Sequence, residues 1–87
     1  MGILQDLTER LATDTMKAMD EFDDEHLHDR IAKVLLDMSP TTQEAYMTAM
    51  RAHLAERKGR AYLEATIKAK REGKTAPGAT RALDSGH

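Results

Sequence analysis

Four histidines and a run of carboxylates are the residues whose types could bind a metal ion in this 87-residue chain. His26 and His28 are two residues apart, so on a helix they point about 200° from one another and cannot share one ion. His28 and Asp24, four residues apart, could form half a site that His53 completes across the fold. Three scattered ligands without a cysteine do not make a zinc motif, and we predict neither a metal site nor a cofactor.

An acidic run from Asp20 to Glu25 has the carboxylate density of a calcium-binding loop. It lacks the central glycine and the distal bidentate glutamate that such a loop needs. We therefore interpret the run as a helix junction, in which Asp23 or Asp24 caps the helix that follows.

No pair of residues in the sequence fits nucleophilic catalysis. The chain has no cysteine, Ser39 fits a helix cap, and Ser85 lies near the end of the sequence. The histidines have no evident nucleophile to activate, and the carboxylates are expected to face solvent. We predict that the protein is not an enzyme and has no catalytic residues.

Apolar residues recur with the 3.6-residue period of an amphipathic helix, and none follows the two-residue period of a strand. A first helix is predicted over residues 3–22 and a second over residues 25–38. The first should pack through Ile3, Leu4, Leu7, Leu11, Thr15, Ala18 and Phe22. The second should bury Leu27, Ile31, Val34, Leu35 and Met38, with Leu36 on its far side. Met16 lies off the first stripe and is expected to fill a gap beneath a neighbouring helix.

A third helix is predicted to begin after Ser39, with Pro40 at its first position, and to end at Gly73. Its apolar residues change face near Gly59, so either the helix breaks there or one continuous helix buries different faces at its two ends. A continuous helix would be about 50 Å long, too long for one compact domain of this size to cover. The predicted fold is all-α: a small helical hairpin or three-to-four-helix domain with a long third helix, completed by dimerisation.

Length and composition favour a single helical domain over residues 1–73, followed by a flexible tail over residues 74–87. The longest strongly apolar run, from Val34 to Leu36, is far shorter than the roughly 20 residues of a transmembrane helix. We expect no membrane association, and the cytoplasm is the default compartment.

Charge is divided unevenly along the sequence. Residues 1–50 hold 11 acids against 4 bases, net −7, and residues 51–74 hold 8 bases against 3 acids, net +5. Opposite charge in successive segments favours docking of one on the other, within a chain or between chains. The simpler interpretation of this pattern is that the charges lie on solvent-exposed helix faces. The small core of so short a chain, the two apolar faces of the long helix, and Met47 and Met50 indicate a non-enzymatic helical module for protein–protein interaction, such as a small regulator, adaptor or assembly subunit, that forms a homodimer and binds another protein. The residues predicted to contact a protein are Met47, Met50, Leu63 and Ile67.

The alternative interpretation is a small DNA-binding regulator. Residues 29–42 have the outline of a helix-turn-helix, but the turn glycine is absent, and the first turn of the second helix has no Arg or Lys for phosphates. A tight helical hairpin is the simpler interpretation. The only basic patch that could contact nucleic acid or an acidic partner lies in the 57–74 segment and consists of Arg57, Lys58, Arg60, Lys68, Lys70, Arg71 and Lys74.

Overall fold

The computed structural model describes residues 2–74, which form three α-helices with no strand among them. Helix α1 spans Ile3–Phe22, α2 spans Leu27–Met38 and α3 spans Pro40–Arg71. The predicted all-α class is confirmed. Of the predicted tail, all but Lys74 lies outside the described residues.

Contacts between residues divide the chain into two compact units, residues 1–55 and residues 56–87. The first unit contains α1, α2 and the first half of α3. The second contains the remainder of α3. The extent of the domain, residues 1–73, stays a prediction.

Ser39 is the one residue between α2 and α3, and it caps α3 as the sequence predicted. Its Oγ accepts the backbone N–H of Thr42 at 3.1 Å and the Thr42 hydroxyl at 2.9 Å. Pro40 occupies the first helical position, where its missing N–H costs no hydrogen bond. A helix-turn-helix joins its helices through three or four residues, so this one-residue connection is a tighter junction.

Helix α3 continues through Gly59 without a break. Of the two alternatives left open by the sequence, the continuous helix is therefore the one observed. The helix ends at Gly73 as predicted, because this residue has φ 73°, a left-handed conformation that favours glycine. The backbone N–H groups of Gly73 and Lys74 donate to the carbonyls of Lys70 and Ala69 at 3.2 and 2.7 Å, a Schellman arrangement.

The acidic run ends α1 but does not cap α2 in the predicted way. Asp23 has a left-handed backbone, and its N–H and that of Asp24 both donate to the carbonyl of Met19. The Asp24 carboxylate is bonded by the Arg30 guanidinium and by the backbone N–H of His26, and Arg30 holds the pKa of this carboxyl below its usual value. The cap residue of α2 is His26, which makes no side-chain cap bond. Asp24 therefore stabilises the turn that precedes α2 and does not cap the helix itself.

The core of the first unit is built on two fully buried side chains of α3, Tyr46 and Met50. The Tyr46 hydroxyl donates to Thr15 Oγ1 at 2.9 Å, and the Thr15 hydroxyl donates in turn to the carbonyl of Leu11 at 2.7 Å. Both buried hydroxyls are therefore satisfied, and burial raises the pKa of the Tyr46 phenol. The rest of the core comprises Ala12, Met16, Met19 and Ala32.

The face of α1 that packs against the other helices differs from the predicted one. Ile3, Leu7 and Phe22 were expected to be buried, but their exposed fractions are 77, 55 and 69%. The buried face is turned by about 90° around the helix at 100° per residue. It consists of Thr8, Ala12, Thr15, Met16 and Met19. Small residues allow a neighbouring helix to approach closely, and Met16 fills the gap beneath it as predicted.

A similar shift affects α2. Its one fully buried residue is Ala32, while Leu27, Ile31 and Leu35 are half-buried against the core. The predicted burial of two further residues was wrong, because the exposed fractions of Val34 and Met38 are 66 and 86%. Leu36 is exposed, as expected of the far side.

The contrast between two methionines gives a test of this core. Met50→Ala removes a fully buried side chain and should lower the free energy of unfolding by about 2–5 kcal/mol. Met38→Ala removes the same atoms from an exposed position and should change it by less than about 0.5 kcal/mol. Urea denaturation followed by circular dichroism measures both values, and equal losses would contradict the assignment of the core.

Candidate interaction surfaces

Among the residues that the structure describes, no leucine, isoleucine, valine or phenylalanine is fully buried. The buried apolar residues are alanines, methionines and one tyrosine. Branched aliphatic residues are normally among the most often buried in globular proteins. In the described residues, the branched aliphatic side chains and Phe22 are therefore either exposed or only half-buried.

One apolar surface lies on α1, and we call it the outer stripe: Ile3, Leu4, Leu7 and Phe22, all exposed. Leu11 continues the stripe but is half-buried against the core. Because α2 and the first half of α3 cover the neighbouring face of the helix, the outer stripe keeps its contact with solvent. The residues of the outer stripe belong to the apolar face that the sequence predicted, but they were expected to be buried.

A groove of about 350 Å³ separates α1 from α3 beside this stripe. Leu4 and Thr8 line it from α1, and small side chains line it from α3. The α3 residues are Ala45, Thr48, Ala49 and Ala52. These small residues leave room beside Leu4, so this part of the outer stripe borders a concave surface.

The four residues predicted to contact a protein partner lie in different environments. Met50 is fully buried, so its side chain is not on the surface of this structure, and Met47 is half-buried against the core. In the second unit, Leu63 and Ile67 are exposed at 51 and 37%. These two are four residues apart, so they form a second apolar surface on one face of α3.

The seven predicted basic contacts are all exposed. Arg60 is paired with Glu56 at 2.6 Å, and Lys74 lies 3.4 Å from Glu72. Lys68, Lys70 and Arg71 lie in the last turn of α3, where positive charge complements the helix dipole.

The candidate metal ligands do not come together. No group of three His, Asp or Glu side chains with metal-binding spacing is present within residues 2–74. His53 Nε2 lies 3.4 Å from Thr13 Oγ1 of α1, His28 Nε2 lies 3.5 Å from Asp29, and Asp24 is bonded to Arg30. Each ligand is therefore engaged separately.

The exposure of the outer stripe has a signal in the sequence. The apolar arc of α1, from Ile3 through Leu7 to Met16, is wider than half the helix once Ala12 and Met19 are included. Two partner helices at one side of α1 cannot cover so wide an arc. The small residues in one part of the arc mark the side at which helices approach closely.

Within the part of the chain that the structure describes, no helix has the length and apolar character needed to cross a bilayer. Comparisons with protein-family models, with curated proteins and with solved structures found no match to this chain.

We expect the basic residues to bind duplex DNA only weakly. Five of these bases would neutralise at most about five phosphates, which gives a log–log salt dependence near −4 and modest affinity. They are Arg60, Lys68, Lys70, Arg71 and Lys74. The acidic first half of the chain repels the same duplex. Fluorescence anisotropy of a labelled random duplex should give a Kd weaker than about 10 μM at about 150 mM salt. Sub-micromolar binding that an Arg60/Lys70/Arg71→Ala variant abolishes would contradict this expectation.

Proposed function

We propose that this chain is a non-enzymatic helical interaction module that self-associates and binds a further protein, as a small regulator, adaptor or assembly subunit does. The observation that carries the proposal is the exposure of every Leu, Ile, Val and Phe side chain in the described residues, wholly or in part. The outer stripe is suited to association, because Ile3, Leu4 and Leu7 lie within little more than one turn of a regular helix.

The energetics favour a stripe over isolated apolar residues. Burying one large aliphatic side chain contributes about 1.5–3 kcal/mol. Association of two proteins costs an estimated 4–15 kcal/mol in lost translational and rotational freedom. One exposed leucine cannot offset that cost, whereas several that are buried together can. The outer stripe and the Leu63–Ile67 surface each place more than one such side chain on a single face.

Charge favours a protein partner over a nucleic acid or an anionic membrane for the first unit. Residues 1–55 hold 11 acids against 5 bases, net −6. Phosphate groups would be repelled from the surface that carries the outer stripe, whereas a basic protein segment would be attracted. The absence of cysteine fits a reducing compartment such as the cytoplasm, and we place the protein there in this proposal.

Self-association should be visible by sedimentation equilibrium. At micromolar concentrations the chain should sediment as a species heavier than the 9.7 kDa monomer, most simply a dimer. Leu7→Gln, which places a polar amide in the middle of the outer stripe, should raise the Kd by about tenfold or more.

Leu36→Gln is the matched control. It makes the same change at a leucine of similar exposure on α2, outside the outer stripe, and should leave the Kd unchanged. Unfolding curves should show that both variants keep the wild-type fold, because both side chains are exposed. A wild-type chain found only at 9.7 kDa would contradict the self-association, and equal effects of the two variants would contradict the role of the outer stripe.

A further inference from the structure

We propose that the outer stripe of one copy binds the Leu63–Ile67 surface of a second copy, with the two helices parallel, and that the contact is repeated reciprocally in a symmetric dimer. This inference rests on the self-association proposed above and names the two surfaces that meet. Three observations support it: both surfaces are apolar and exposed, their charges are opposite, and their residue spacings match.

The first observation is exposure. Leu7 on α1 and Leu63 on α3 are each about half exposed, at 55 and 51%. Neither belongs to the buried core or to the residues packed against it. Burial of the two surfaces against one another would remove both leucines from water in one step.

The second observation is charge. Residues 1–55 carry a net charge of −6, whereas residues 56–74 hold 7 bases against 3 acids, net +4. Asp14 is exposed and lies within about 20° of Leu7 around the helix at 100° per residue, so it carries a negative charge on the same side of α1 as the outer stripe. Lys70 and Arg71 are exposed and flank Ile67, three and four residues beyond it.

The third observation is spacing. On α1 the order is Leu7, then Leu11 four residues later, then Asp14 three residues later. On α3 the order is Leu63, Ile67 and Lys70, with the same intervals. Parallel helices paired through these residues bring the two charges level with one another, about 10 Å beyond the first apolar pair at 1.5 Å per residue.

The same alignment sets Ile3 opposite Gly59, since Ile3 lies four residues before Leu7 and Gly59 lies four residues before Leu63. A Cβ atom at Gly59 would meet nothing within 4 Å, so the α3 surface is open at that point. An isoleucine from a second copy can occupy that space. In an antiparallel pairing of Leu7 with Leu63, Ile67 would lie opposite Ile3, the first residue of α1. The bases that follow Ile67 would then lie beyond the start of α1 and would have no acid of that helix opposite them.

A charge-reversal experiment tests the pairing with full-length chains. One variant carries Asp14→Lys and the other carries Lys70→Glu, so each reverses one of the two charges that the pairing brings level. Alone, each variant places like charges opposite one another at both contacts of the symmetric dimer, so its Kd should rise by about tenfold or more. Mixed one to one, the two chains regain opposite charges at both contacts. Native mass spectrometry should then show a heterodimer that contains one chain of each kind.

A second pair of variants guards against loss of folding at the end of α3. Leu63→Ala and Ile67→Ala together remove the apolar contact but keep strong helix-forming residues. Their circular dichroism should equal that of the wild type, and their Kd should rise by about tenfold or more. The control is Tyr62→Ala, at an exposed residue on another face of α3, and it should leave the Kd unchanged.

The outcomes separate this inference from the proposed function. A wild-type chain that dimerises while both charge variants dimerise equally tightly would overturn the pairing and leave self-association in place. Failure of the mixture to form the heterodimer, with both single variants weakened and folded, would also overturn the pairing. A wild-type chain that remains monomeric would overturn self-association itself.

Discussion

The width of the apolar arc on α1 is the constraint from which the other features follow. Tyr46 and Met50 of α3 cover one part of that arc, and the bond from the Tyr46 hydroxyl to Thr15 fixes which part. A buried hydroxyl without a partner would cost about 1–3 kcal/mol, so the helices are held in the orientation that satisfies both groups. Once that orientation is set, Ile3 and Leu7 are left outside.

The local features of the fold were predictable because each depends on a few neighbouring residues. Ser39, Pro40 and Gly73 determine where α3 begins and ends, and each acts as predicted. The orientation of α1 was not predictable in this way. Leucine side chains are more hydrophobic than those of Ala12 and Thr15, so the periodic pattern indicates the face that carries the leucines. The choice of face depends on how closely α3 can approach, which is a property of two helices together. Of the residues predicted to contact a partner, Leu63 and Ile67 are exposed and Met50 is buried, and the contact itself stays a prediction.

A core made of alanine, methionine and one tyrosine has a consequence for stability. Methionine packs adaptably and specifies a core less strictly than branched aliphatic residues do. Any partner that covers the outer stripe adds the burial that the single chain lacks, and by mass action it raises the apparent stability of the fold. In the dimer proposed above, folding and association would reinforce one another, and the opposite net charges of residues 1–55 and 56–74 would favour a second copy as the partner.

The central claim is that the apolar side chains of α1 lie against a second chain. Isotope-filtered nuclear Overhauser spectroscopy on an equimolar mixture of carbon-13-labelled and unlabelled chains measures this directly, because it detects only contacts between copies. The account predicts cross-peaks from the methyl groups of Leu7 in one copy to those of Leu63 and Ile67 in the other. A dimeric sample in which the Leu7 methyl groups show no contact to the second copy would contradict it.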